Sequence, residues 1–321
     1  MNESNPLFQA RFLAPRYWHR WLLFAGMFLA ARLPFGFTLR LGRALGRLGL
    51  RFAKERRQIA ETNLAICFPD MAASERAALL RQHFESLGMG AAETSLCWWG
   101  SQARLRPLLR EIEGQEYLEA ALARGHGALL LGAHFTHLEI GISLLAAHRP
   151  TAAVYKPHKD PLFEVVMSRS RAHYGRAIRR DDTRGMLRAL RDNLPLWYAA
   201  DQNYRGKHMA YVPFFGMPAA TNTATSRLAQ ISKAPLLTFH QRRLPGAEGY
   251  RLIFSPPVEG FPTGDVAADA RRVSQLVEAL VRDQPADYLW VHRRFKTQAV
   301  KADNPYPPRR RRRRKPRQAP A

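Results

Sequence analysis

The chain has 321 residues, with 50 lysines and arginines against 26 aspartates and glutamates, and a formal net charge of +24. Hydrophobic residues make up 46% of it, enough for a packed core, so a wholly disordered chain is excluded; the length suits one large domain or two small ones. The two cysteines, Cys67 and Cys97, make neither a disulfide framework nor a paired metal-ligand spacing, and read as buried, reduced thiols.

In chain order, the first signal is membrane-like. Residues 21–31 (WLLFAGMFLAA) are an uncharged apolar run, with Arg16, His19 and Arg20 before it and Arg32 after it. The run is shorter than the roughly 18–20 residues of a spanning helix. Apolar character resumes at 33–37, however, so residues 1–36 are expected to anchor the chain as a tilted span with Arg32 snorkelling outward. No small-residue cleavage site follows, which argues against a signal peptide. Tyr17, Trp18 and Trp21 beside Arg16 and Arg20 have an interfacial composition. Residues 37–57 then read as a basic amphipathic helix: Arg40, Arg43, Arg47, Arg51 and Lys54 form one stripe, and Phe37, Leu41, Leu45, Leu48 and Phe52 another. Such a helix suits an anionic membrane surface; an ordinary solvated helix is the alternative.

From residue 58 to about 124 the pattern is mainly helical. Short apolar runs at 127–133, 152–155, 196–200, 235–241, 250–255 and 288–292 read as strands, separated by helical patterns at 138–147, 162–173, 223–233 and 266–283. This alternation predicts an α/β fold, a mixed, mostly parallel sheet covered by helices. Eight basic residues fall in the last thirteen, among prolines, so residues 301–321 are expected to form a disordered polybasic tail. Setting those eight aside leaves +16 of the +24, so the folded part also favours polyanionic partners.

The sharpest constellation is His134-Phe135-Thr136-His137-Leu138-Glu139, directly after the 127–133 run. On one regular helix His134 and Glu139 would lie roughly 140° apart. If His134 sits in the turn and Glu139 in the first turn of the helix, they converge where α/β proteins place their sites. A carboxylate on one imidazole nitrogen then makes the other a general base. There is no G-x-S-x-G elbow, no H-E-x-x-H, no phosphate loop and no dinucleotide fingerprint. A His–carboxylate pair without a nucleophile best suits deprotonation of a hydroxyl that attacks an activated carbonyl, with no metal or cofactor. Arg169 and Arg171 suit either a phosphate or a solvated face. Asp201, ending the 196–200 run, reads as a site residue or a turn residue. His292, Arg293 and Arg294 suit contact with an anionic ligand or a structural role at the sheet edge.

Several segments carry a resemblance. They are PRYW at 15–18, NLAICFP at 63–69, YKPH at 155–158, WYAADQ at 197–202, VPFFG at 212–216 followed by AAT at 219–221, and YLWVHRRFKT at 288–297. Together with the H-x4-E dyad they resemble, in family order, the late acyltransferases of bacterial lipid A biosynthesis, a branch of the glycerolipid-type acyltransferases. The PRYW segment resembles the lauroyltransferase type. The resemblance implies an inner-membrane protein with its active site at the cytoplasmic face and residues 37–300 as its acyltransferase domain. It implies transfer of a fatty acyl chain from acyl carrier protein to a 3-hydroxyacyl hydroxyl of a lipid A precursor. His134 is then the general base, Glu139 its orienting carboxylate, and Asp201 an active-site residue that positions an arginine. Lys156, His158, Arg169, Arg171, His292, Arg293 and Arg294 are implied to bind substrate. The expected partners are acyl carrier protein, the lipid A precursor and anionic membrane lipid, with no specific nucleic acid. A related acyltransferase with another acceptor or a longer donor chain is one rival. The other is a membrane-tethered polyanion-binding protein, which would lose its function when residues 305–321 are deleted.

Overall fold

The computed structural model describes residues 9–172 and 175–307. The polyarginine stretch lies outside the described residues. Two short 3-10 turns lead into α1 (Trp18–Ala30), followed by α2 (Phe35–Phe52), α3 (Lys54–Cys67), the long α4 (Ala73–Trp99) and the short α5 (Gln102–Leu105). The α/β part then runs β1 (Leu109–Glu113), α6 (Gln115–Leu122), β2 (Ala128–Gly132), α7 (Leu138–His148), β3 (Ala152–Tyr155), α8 (Pro161–Ala172), β4 (Arg176–Arg179), α9 (Thr183–Arg191) and β5 (Pro195–Ala199). A hairpin, β6 (Met209–Phe214) and β7 (Met217–Asn222), precedes α10 (Ala224–Ser232), β8 (Leu236–Arg243), β9 (Tyr250–Phe254) and α11 (Val266–Asp283).

Seven strands form one sheet in the order β1-β9-β8-β2-β5-β3-β4. Its pairings are parallel except β8 with β9, which matches the expected mixed, mostly parallel α/β sheet. β2 sits at the centre because its run ALLLG is apolar at nearly every position and is buried throughout, as a strand covered on both faces requires. Successive side chains alternate faces. Leu129 and Leu131 join the core packed by α3, α9, α10 and α11, while Ala128 and Leu130 join the one packed by α6 and α7.

The N-terminal helices differ from expectation. No helix among the described residues is long and apolar enough to cross a membrane. α1 holds 13 residues, about 20 Å of helix at ~1.5 Å per residue against a ~30 Å hydrocarbon core. It packs along the body instead: Phe24 is buried, its ring 6.2 Å from that of Trp99 and 5.6 Å from that of Phe163. The helix expected over 37–57 is broken at Ala53 into α2 and α3. α2 buries Thr38, Leu39 and two glycines. A Cβ on Gly46 would lie 2.1 Å from the Phe84 carbonyl oxygen of α4, and one on Gly42 would lie 2.6 Å from that of Gly88. The two backbones therefore touch, and the apolar stripe Phe37, Leu41, Leu45, Leu48 and Phe52 stays in solvent, between 42% and 68% exposed. At the other end the chain stays on the body beyond 301. Tyr306 is buried, its hydroxyl donating to Asn63 Oδ1 and accepting from the Phe295 N–H, so the expected tail boundary falls several residues too early.

Candidate active site

Strand register builds the site. β2 and β5 are parallel neighbours with Gly132 opposite Ala199. Two residues further along each chain come His134 and Asp201, so the pairing delivers both to the same edge. His134 Nδ1 and Asp201 Oδ1 are 2.6 Å apart, and the His134 backbone N–H donates to Asp201 Oδ2 at 2.9 Å. Asp201 is buried, whereas the His134 side chain is 26% exposed into a cavity of about 680 Å³. Burial pushes the Asp201 carboxyl up, but the His134 charge and the two hydrogen bonds from that residue outweigh it and hold the carboxyl down at about 2. Asp201 is therefore ionised and fixes Nδ1, leaving Nε2 as the imidazole atom for a substrate.

The expected His134–Glu139 pair does not form. Glu139, in the first turn of α7, is turned to other partners: Arg171 donates to it from Nε at 3.0 Å and Nη2 at 2.6 Å, and Trp98 from Nε1 at 2.8 Å. Burial raises the Glu139 carboxyl, and the Arg171 charge and these hydrogen bonds bring it below its ordinary value. Asp201, not Glu139, is thus the carboxylate bonded to His134, and Glu139 holds Arg171.

The loop carrying His134 is clamped from below. The backbone N–H groups of Thr136 and Leu289 donate to Asp287 and His134 carbonyls at 2.8 and 3.0 Å. Phe135 makes a single bridge with Tyr288, so the strand expected over 288–292 is instead a turn-rich segment bonded to this loop. Half-buried Arg243 of β8 completes the clamp, donating to Glu93 Oε2 at 2.9 Å, Asp287 Oδ1 at 2.6 Å and Thr136 Oγ1 at 3.2 Å. His137 is sealed beneath, its Nδ1 accepting from the Gln241 amide at 2.9 Å; burial, with the Arg243 charge, pushes it down to about 4.

Of the residues expected to bind substrate, Lys156 and Arg171 line the cavity. The others do not. The His158 ring packs 4.4 Å from that of Phe163, and Arg169 is an exposed residue of α8 outside the cavity. His292 accepts from the Asn203 N–H at 3.1 Å, and its burial pushes it down to about 4. Arg293 pairs with Glu55, and buried Arg294 donates to the Ala220 carbonyl at 2.8 Å and Thr221 Oγ1 at 2.6 Å. The closing motif therefore braces the β6–β7 hairpin. Trp98 and Arg243 carry no local sequence signal, because their contacts lie 41 residues away for the first and 44 or more for the second.

A family model described as bacterial lipid A biosynthesis acyltransferase matches residues 5–297. The chain belongs to that family. It is 37% identical to the lipid A biosynthesis lauroyltransferase of Escherichia coli (strain K12), over 91% of this chain and 96% of that one. It is 36% identical to the palmitoleoyltransferase of the same strain over 91% and 96%, and 28% identical to the myristoyltransferase over 95% of both. This protein is therefore an acyltransferase of lipid A biosynthesis. The relatives differ in the acyl chain they are named for, so family membership fixes the reaction class and not the chain length.

Proposed function

We propose that the protein transfers a lauroyl chain from acyl carrier protein to the hydroxyl of a 3-hydroxyacyl chain on a lipid A precursor. The observation that carries this reading is the His134–Asp201 pair at a cavity that Leu138, Ile142 and Ala146 line at successive turns of α7. His134 Nε2 takes the hydroxyl proton as that oxygen attacks the thioester carbonyl. Asp201 stabilises the imidazolium, which returns the proton to the departing thiolate. Arg171, held by Glu139, keeps further N–H groups for the oxyanion. The lauroyl donor follows the PRYW resemblance at 15–18; the 37% identity to a lauroyltransferase agrees with it, beside 36% to a palmitoleoyltransferase. The test is incubation of the purified protein with lauroyl-acyl carrier protein and a tetra-acylated precursor. A product heavier by one lauroyl group is expected, and absence of any acylated product refutes the reading.

The same reading holds the chain on an anionic membrane through α1 and α2. α1 exposes Leu22, Leu23 and Leu29, α2 exposes its whole apolar stripe, and arginines flank both. Two short helices with apolar faces in the headgroup region and basic flanks on anionic lipid would hold the enzyme in the membrane plane.

A further inference from the structure

The lining of the cavity extends from His134 to residues at the opposite edge of the sheet. β2, β5, β3 and β4 are parallel, so His134 marks the carboxyl-terminal edge of the sheet. α7 starts at that edge and runs back across the strands, with Leu138, Ile142 and Ala146 lining the cavity at successive turns. From Leu138 to Ala146 the helix advances about 12 Å at ~1.5 Å per residue. From Tyr155 back to Thr151 the strand covers about 13 Å at ~3.3 Å per residue. Both walls thus end together at the opposite sheet edge, where Ala146, Thr151 and Gly175 meet. The Arg176 N–H donates to the Thr151 carbonyl at 2.9 Å. A Cβ on Gly175 would lie 2.4 Å from the Thr151 carbonyl oxygen and 3.7 Å from Ala146 Cβ. Between the two ends the wall residues Ile142, Ala153 and Ala177 are apolar; Glu139, Arg171 and Lys156 line the cavity toward the His134 end, and Arg176, whose guanidinium pairs with Asp192, lies beside Gly175 at the other.

We propose that Ala146, Thr151 and Gly175 are the floor of the acyl slot and set the length of the chain transferred. The proposal rests on the acyl-transfer reading above. With the thioester carbonyl fixed at His134, the chain terminus reaches a set depth along α7, and the side chain standing there decides whether a further methylene fits. Each such methylene discriminates by about 10–200-fold. Ala146 is the sensitive position because it is a half-buried residue of α7 with a short side chain lining the cavity.

The experiment offers purified protein an equimolar mixture of decanoyl-, lauroyl- and myristoyl-acyl carrier protein with the acceptor, and reads the product masses. In parallel it measures binding of decyl, dodecyl and tetradecyl pantetheine thioethers, which report on the slot without any transfer. Ala146→Phe is expected to move both preferences toward the shorter chain by at least about tenfold, and Thr151→Ala to move them toward the longer. Ala146→Leu gives the same direction as Ala146→Phe with a smaller change in volume. Unchanged length ratios in a folded Ala146→Leu or Thr151→Ala protein overturn the proposal. Thioether binding whose length preference follows these substitutions, in a protein that transfers no acyl group, refutes the acyl-transfer reading and leaves the floor assignment standing.

Discussion

At the scale of residues, the two carboxylates near His134 have separate tasks, and substitutions separate them. Asp201→Asn keeps an acceptor for the His134 backbone N–H but removes the charge that fixes and balances the imidazole. Turnover is expected to fall by about 10²–10⁴-fold, the range of general-base assistance, with the thermal midpoint little changed. Glu139→Ala removes the shared partner of Arg171 and the Trp98 indole. Leaving a partly buried donor unpaired costs about 1–3 kcal/mol, so this variant is expected to lose stability as well as activity. Paired measurements of kcat and thermal midpoint check both; equal stability losses in the two variants would contradict the division of labour.

At the scale of elements, α2 shows how one helix serves two surfaces. Its glycine stripe lets the backbone lie against α4, and the leucines at the same helical spacing are left outside. Gly46→Leu should destabilise the protein by about 1–3 kcal/mol or more, because the added Cβ meets backbone that has no rotamer to yield, and denaturant unfolding measures it. Leu45→Glu with Leu48→Glu should leave unfolding unchanged, since both side chains are exposed, yet weaken flotation with vesicles containing anionic lipid. Retention of full vesicle binding by that double variant would remove α2 from the membrane contact. Arg43 and Arg47 are drawn to Glu85 across the α4 interface, so the outer stripe is less uniformly cationic than the spacing suggests.

At the scale of the whole molecule, buried histidines tie the fold to pH. Burial pushes His83, His137 and His292 from an ordinary 6.5 down to about 4. The unfolded chain therefore binds more protons than the folded one between pH 6.5 and about 4, so the stabilisation is complete above 6.5 and is lost as pH falls through that window. The midpoint denaturant concentration is expected to fall steadily from pH 6.5 to 4, and His83→Gln should flatten the slope. A slope that His83→Gln leaves unchanged would show that this ring is not neutral in the fold.

The sequence by itself determined the α/β class, the central strand 128–132, the helices around it and the loop bearing His134, because apolar periodicity and turn residues act over a few neighbours. It also pointed to Asp201 without its partner, and to an apolar stripe on residues 37–52 without which side of the helix is buried. It missed β1, β4, α9 and the β6–β7 hairpin, whose strands are short or half-exposed and alternate weakly. Only the tertiary structure decided which carboxylate meets His134. That choice follows from β2 lying beside β5 in a fixed register, a pairing between segments 67 residues apart that no local pattern encodes. The same holds for the slot floor, where the ends of α7, β3 and β4 come together: each contributes a small, unremarked residue, and only their packing against one another gives the cavity its depth.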